Sequence, residues 1–159
     1  QNDRGARMGP PISFLTKVDD MRISSVAEME RAGETFAQQL QAGDVISLQG
    51  ELGAGKTAFT RGVARGLGVS DQISSPTFVI ARLHHGRCTF THVDLYRLLD
   101  HDNVIDEVID LDFDTSGIVI IEWGDPQILS KCHLQITAQV LIEIIDEDQR
   151  ELLITWQRT

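Results

Sequence analysis

GELGAGKT, residues 50–57, matches the pattern G-x-x-x-x-G-K-[ST] at every fixed place, with Gly50, Gly55, Lys56 and Thr57 in position. Each residue type has a physical task. Glycines let the backbone wrap closely around phosphate and turn its N–H groups inward, into a concavity completed by a helix N-terminus. Lys56 can reach the beta and gamma phosphates of a nucleoside triphosphate, Thr57 can offer its hydroxyl to magnesium, and Gly53 adds another point of close approach. A glycine-rich turn carrying a surface lysine would spell the same string, so the flanks decide. Before the loop, Val45, Ile46, Ser47 and Leu48 form a short apolar run that predicts a central strand. After it, Phe59, Val63 and Leu67 recur every fourth residue and predict a helix over 56–66, stopped by Gly66 and Gly68. Strand, loop and helix follow in the order a phosphate loop requires. The expected ligand is a purine nucleoside triphosphate with Mg2+, cradled by Gly50, Glu51, Leu52, Gly53, Ala54, Gly55, Lys56, Thr57 and Ala58.

Upstream, Ser25 and Glu28 have the spacing of a capping box, and Val26, Met29, Phe36, Ala37 and Leu40 line one face of a helix running to about Leu40, with Gly43 as its stop. Downstream, Pro76 biases Ser75 away from helical angles, so 73–78 reads as an extended loop leading into a strand at 78–81. His84, His85, Gly86 and Arg87 read as a hairpin turn, and a strand over 88–93 ends at Asp94. The acidic stretch 103–114, with Val104, Val108 and Leu111 at helical spacing, predicts a solvated helix with one apolar face. Residues 118–121, Ile-Val-Ile-Ile, are the most apolar run and predict a strand buried on both faces that delivers Glu122 and Trp123 to its end. Two further strands, about 133–145 and 152–156, are joined by a loop too short for a crossover helix and read as an antiparallel addition. The expected fold is α/β: a P-loop nucleotide hydrolase, a central sheet with flanking helices and added antiparallel strands. Residues 23–159 would form one domain behind a flexible tail at 1–22.

At 159 residues the chain suits one ordinary domain, and its 42% hydrophobic and 24% charged content excludes the disordered and fibrous classes. No apolar run approaches the roughly 18 residues of a membrane span. Residues 1–11 lack the apolar stretch of a secretory signal, so the expected location is the cytoplasm. A net charge of -10 works against non-specific attachment to a phosphate backbone, and independent nucleic-acid binding is not expected. Cys88 and Cys132 are too few and too far apart for a disulfide scaffold or a clustered metal site.

Hydrolysis needs a group at the magnesium and a group that places water. In α/β sheets ligands lie beyond the C-terminal ends of strands, where this chain presents Asp94 and Glu122, with Thr77 in a neighbouring loop. Glu122 follows four β-branched residues, as the second magnesium-binding motif of such nucleotidases does; a strand-end carboxylate facing solvent is the other reading. Asp94 also suits an N-cap for the turn at Leu95, Tyr96 and Arg97, a role compatible with one near magnesium. Thr77 sits in ordinary loop composition. Arg97 can touch phosphate or pair with Asp94, and Trp123 can pack beside the nucleotide or cover the sheet edge. The candidate set is Lys56, Asp94, Glu122 and Thr77 for chemistry, Thr57 and Glu122 for metal, and the loop with Trp123 for nucleotide.

Beyond the loop, SPTF at 75–78, HVDLYRL at 92–98 and IIEW at 120–123 follow GELGAGKT in order. Together these motifs resemble the TsaE family, formerly called YjeE, from about Ile23 to Trp156, nearly the whole chain. The resemblance implies a P-loop sheet with antiparallel strands added, binding of ATP or ADP with magnesium, and a weak ATPase that supports TsaD and TsaB in threonylcarbamoyladenosine modification of tRNA. On it, Lys56 and Thr57 hold phosphate and magnesium, Glu122 lies at the metal, Asp94 is needed for activity, and 75–78 behaves as a switch beside the gamma phosphate. The chain departs from the family pattern at Ala58, where a second threonine is frequent, near Leu83 and His84, where a tyrosine is missing, and at Gly124, Asp125 and Pro126 after the Glu-Trp pair. A small-molecule kinase and a non-catalytic nucleotide-gated adaptor are the competing functions.

Overall fold

The computed structural model describes residues 17–73 and 80–157. Its seven strands form one sheet in the order β1-β7-β6-β2-β5-β4-β3. The strands are β1 Val18–Ile23, β2 Val45–Gly50, β3 Ala81–His85, β4 Thr89–Asp94, β5 Ile118–Glu122, β6 Ala138–Ile144 and β7 Arg150–Trp156. The helices are α1 Val26–Ala37, α2 Lys56–Gly66, α3 Val104–Asp110 and α4 Pro126–Lys131. Strands β6, β2, β5 and β4 run parallel, while β1 and β7 on one side and β3 on the other pair antiparallel.

The parallel centre is apolar because it is covered on both faces. On one face Ile46, Leu48, Ile118 and Ile120 join Phe36 of α1 and Phe59 and Val63 of α2 in a single core. On the other, Val45, Val119 and Ile121 meet Val108 of α3 and Leu129 of α4. All five residues of β5 are buried, as its composition predicts. Helices α1 and α2 approach through glycines: a Cβ on Gly62 would collide with the Glu30 carbonyl, and one on Gly33 with the Phe59 carbonyl.

Helix α2 spans the predicted residues. It ends as a Schellman turn, with Gly68 at φ 76°, its N–H donating to the Arg65 carbonyl at 3.1 Å and the Val69 N–H to Ala64 at 2.9 Å. Half of the capping box forms as expected, with Ser25 Oγ accepting from the Glu28 N–H, while Glu28 Oε2 accepts from the N–H of Ser24 rather than of the N-cap Ser25.

Several expectations change. Residues 18–22, assigned to a flexible tail, belong to β1, paired with β7 from Val18↔Thr155 to Ile23↔Arg150. Helix α1 stops at Ala37; Leu40 lies in the turn beyond it, and Gly43 at φ 97° serves the entry to β2 rather than the helix end. His84 and His85 lie inside β3, so the hairpin turn falls at 86–88, and the expected strand at 78–81 survives only from Ala81 among the described residues. The largest revision concerns β6. It pairs parallel with β2, and only its other edge, against β7, is antiparallel. Helix α4, capped by Asp125 with Pro126 in its first turn, supplies the crossover from β5. Among the described residues no helix is long and apolar enough to cross a membrane.

Candidate functional site

The loop between β2 and α2 opens where three strands end. The pairing Leu48↔Glu122 aligns β2 with β5, and Asp94↔Glu122 sets two carboxylates side by side at the ends of β4 and β5. A cleft of about 460 Å³ runs over this ridge, lined by Gly53, Lys56, Thr57, Asp94, Glu122 and Trp123 among others.

Gly53 at φ 79° and Gly55 at φ 112° take the left-handed conformation that favours glycine. Gly55 is the N-cap of α2 and has no side-chain cap. The first N–H groups of the helix therefore lack an intrahelical acceptor and sit at the positive end of its dipole. Ala58, buried at 7%, adds to this turn only its backbone N–H.

Lys56 is itself 7% exposed. Its Nζ donates to the carbonyls of Gly50 at 2.5 Å and Glu51 at 3.0 Å, and lies 4.3 Å from the centre of the Trp123 ring. Burial lowers its pKa below the ordinary lysine value, while Glu122 and Asp94 pull the other way. Burial likewise pushes the Asp94 carboxyl above its ordinary value; the Tyr96 N–H, which donates to Oδ1 at 2.9 Å, opposes that shift, and Glu122 adds to it. Asp94 therefore accepts the first N–H of the turn at Tyr96–Leu98, whose N-cap is Leu95 rather than Asp94, and also lines the cleft.

Glu122 does not face solvent, being 2% exposed. Its Oε2 lies 3.3 Å from His92 Nε2, and its Oε1 has no hydrogen-bond partner among the described residues. Trp123 leaves the strand at φ 58°, keeps a hydrogen bond from its N–H to the Leu48 carbonyl at 2.9 Å, and packs its ring against Tyr96 at 5.0 Å. The loop behind it is pinned by Ser47, whose Oγ donates to the Gly124 carbonyl at 2.5 Å.

The structure thus brings Lys56, Thr57, Asp94, Glu122 and Trp123 together, with Gly53, Gly55, Ala58 and Leu52 on the same cleft. Gly50 supplies a carbonyl to Lys56, Glu51 another, and Ala54 is buried beneath the loop. Thr77 and the rest of SPTF lie outside the described residues. Sequence reasoning missed His92 and Tyr96. His92 stands two residues before Asp94, and the two-residue period of a strand puts both on one face, so the signal was present in HVD.

A parallel centre whose middle strand feeds a phosphate loop and helix defines a P-loop-type α/β protein. The sequence model described as "Threonylcarbamoyl adenosine biosynthesis protein TsaE" matches residues 23–152, and the chain belongs to the TsaE family, proteins of threonylcarbamoyladenosine biosynthesis in tRNA. The tRNA threonylcarbamoyladenosine biosynthesis protein TsaE of Mycobacterium tuberculosis is 39% identical over 138 residues, covering 80% of each chain. That of Treponema pallidum is 34% identical over 130 residues, covering 82% of this chain and 95% of its own. Among solved structures, Bacillus subtilis YdiB superposes with a TM-score of 0.67 at 29% identity, covering 92% of this chain and 90% of its own.

Proposed function

We propose that this chain is a magnesium-dependent ATPase of weak intrinsic turnover that supports a TsaD–TsaB complex in the threonylcarbamoyladenosine modification of tRNA. It works in the cytoplasm and meets tRNA only through that complex. The observation that carries the reading is the single cleft joining Lys56, Asp94 and Glu122 at the N-terminus of α2.

The residues fit the groups this activity needs. The uncapped first turn of α2 and the two left-handed glycines suit phosphate oxygens. The free, buried Oε1 of Glu122 and the half-buried hydroxyl of Thr57 form a hard oxygen donor set of the kind magnesium prefers. Glu122 and Thr57 would hold magnesium, whose positive charge would offset that of the phosphate oxygens. Lys56 exchanges its contacts with the Gly50 and Glu51 carbonyls for phosphate oxygens and stabilises the charge that develops on them. Asp94, half-buried beside Glu122, orients the attacking water or its hydration shell, with Thr77 the other candidate for that task. Trp123 covers one wall.

A kinase would use the same loop with an acceptor site and an arginine-rich lid, but 98–114 contains no arginine. The deciding experiment is an ATPase assay with and without the TsaD–TsaB pair and tRNA. Phosphate release that rises with the partners is expected. Transfer of the gamma phosphate to an acceptor would overturn the reading in favour of a kinase, and turnover equal to buffer in both conditions would leave a nucleotide-gated adaptor.

A further inference from the structure

His92 is completely buried in the middle of β4, and neither ring nitrogen has a hydrogen-bond partner by strict geometry among the described residues. An imidazole so placed loses its water without replacing it, a cost a folded protein seldom carries without return. Among the described residues, the polar group within ion-pair distance of it is Glu122 Oε2, 3.3 Å from Nε2, itself on a side chain 2% exposed. The arrangement follows from the register. Parallel pairing sets His92 beside Ile120 and Asp94 beside Glu122, so the imidazole meets the carboxylate diagonally from behind the cleft. The other carboxylate oxygen, Oε1, is buried and has no hydrogen-bond partner among the described residues.

We propose that His92, with its proton on Nε2, is a positioning residue for Glu122: it holds Oε2 and so fixes the orientation of the carboxylate that would meet the divalent cation. The inference rests on the reading of Glu122 as a metal-holding residue. His92 touches neither nucleotide nor metal. Its part is that of the outer partners which orient metal-holding side chains elsewhere, whose loss typically costs about 10–100-fold in metal affinity.

The test compares wild type, His92→Phe, His92→Gln and Glu122→Ala. Manganese affinity of the ADP-bound protein is read by electron paramagnetic resonance, ADP affinity in EDTA by calorimetry, and the imidazole tautomer of the metal-free protein by nitrogen-15 NMR. His92→Phe is expected to weaken manganese about 10-fold or more while ADP affinity in EDTA changes less than about 2-fold, and His92→Gln, which keeps an N–H donor, to recover much of the loss. The tautomer with the proton on Nε2 is expected. Unchanged manganese affinity in His92→Phe beside a clear loss in Glu122→Ala overturns the role of His92 alone. Unchanged affinity in Glu122→Ala overturns the underlying metal assignment as well. If His92→Phe does not fold, His92→Gln with manganese affinity near wild type and the Nε2 proton in place supports the proposal; a proton on Nδ1 overturns it.

Discussion

Lys56 is the residue on which the candidate site turns. Its charge is buried, its pKa is lowered by that burial, and carbonyls, a tryptophan face and two nearby acids compensate it. Such a cation is costly to keep unless a ligand uses it. Lys56→Ala should therefore weaken ATP by at least about 100-fold, since charge-assisted hydrogen bonds contribute about 1.5–3 kcal/mol each and two of them are lost. Calorimetry that finds wild-type affinity in this variant would remove Lys56 from the site. Lys56, Thr57, Asp94 and Glu122 were legible in the sequence because each stands in a local string whose neighbours announce the end of a strand or the start of a helix. For His92 only the shared face with Asp94 was legible, in HVD; its contact with Glu122 exists only through the register of β4 against β5. The deep burial of Glu122 was likewise invisible to a reading that allowed a solvent-facing carboxylate.

At the scale of elements, the position of α2, and so of the phosphate loop, is set by α1. The two helices touch backbone to backbone at Gly33 and Gly62, and Glu30 of α1 pairs with Arg61 at 3.2 Å and Arg65 at 3.0 Å on α2. Gly62→Ala must move one helix, because its new methyl meets the Glu30 carbonyl rather than a flexible side chain. We expect a loss of about 1–3 kcal/mol in urea denaturation, against the gain usual for glycine to alanine within a helix. The ion pairs matter less. The hydrogen bond from Arg65 leads the effects that hold the Glu30 carboxyl below its ordinary value, with Arg61 adding to it. A depressed carboxyl stabilises the fold fully above its unfolded value and loses that contribution as pH falls through the folded one. Glu30→Gln should thus cost about 0.5–1 kcal/mol at pH 7, the range for solvent-screened pairs, and the gap to wild type should close below about pH 4. A gap constant across that range would mean the pairs carry no charge-dependent stability. The strand, loop and helix of residues 45–66 were legible because all three signals are local. Strand β1 was not, since its edge pairing with β7 is set by a partner more than a hundred residues away. Helix α4 was missed although Asp125 and Pro126 are start signals, because its six residues hold too few apolar positions to show a period. Without that helix the crossover vanished, and β6 was read as antiparallel.

Over the whole molecule, the sheet ties the cleft to nearly every central element. Strands β2, β4 and β5 end in it and α2 begins in it. A ligand there therefore binds the folded chain and not the unfolded one, because the four contributing segments lie far apart in sequence. Linkage then fixes a magnitude. At ADP 100 times its dissociation constant the fold gains about 2.7 kcal/mol. For a domain of this size each kcal/mol moves the melting temperature by roughly 2–4 °C, so MgADP should raise it by about 5–10 °C. EDTA should reduce that rise, because on the proposed function the Glu122 carboxylate and the Thr57 hydroxyl reach the nucleotide only through the metal. With affinity lowered by about 100-fold, Lys56→Ala should cut it to about 1–2 °C or less at the same ADP concentration, with its own ligand-free melting temperature changed far less. Differential scanning calorimetry over a series of ADP concentrations distinguishes this coupling from a local effect. A rise confined to a minor early transition, or one that persists undiminished in Lys56→Ala, would mean that the nucleotide engages something other than the junction of β2, α2, β4 and β5.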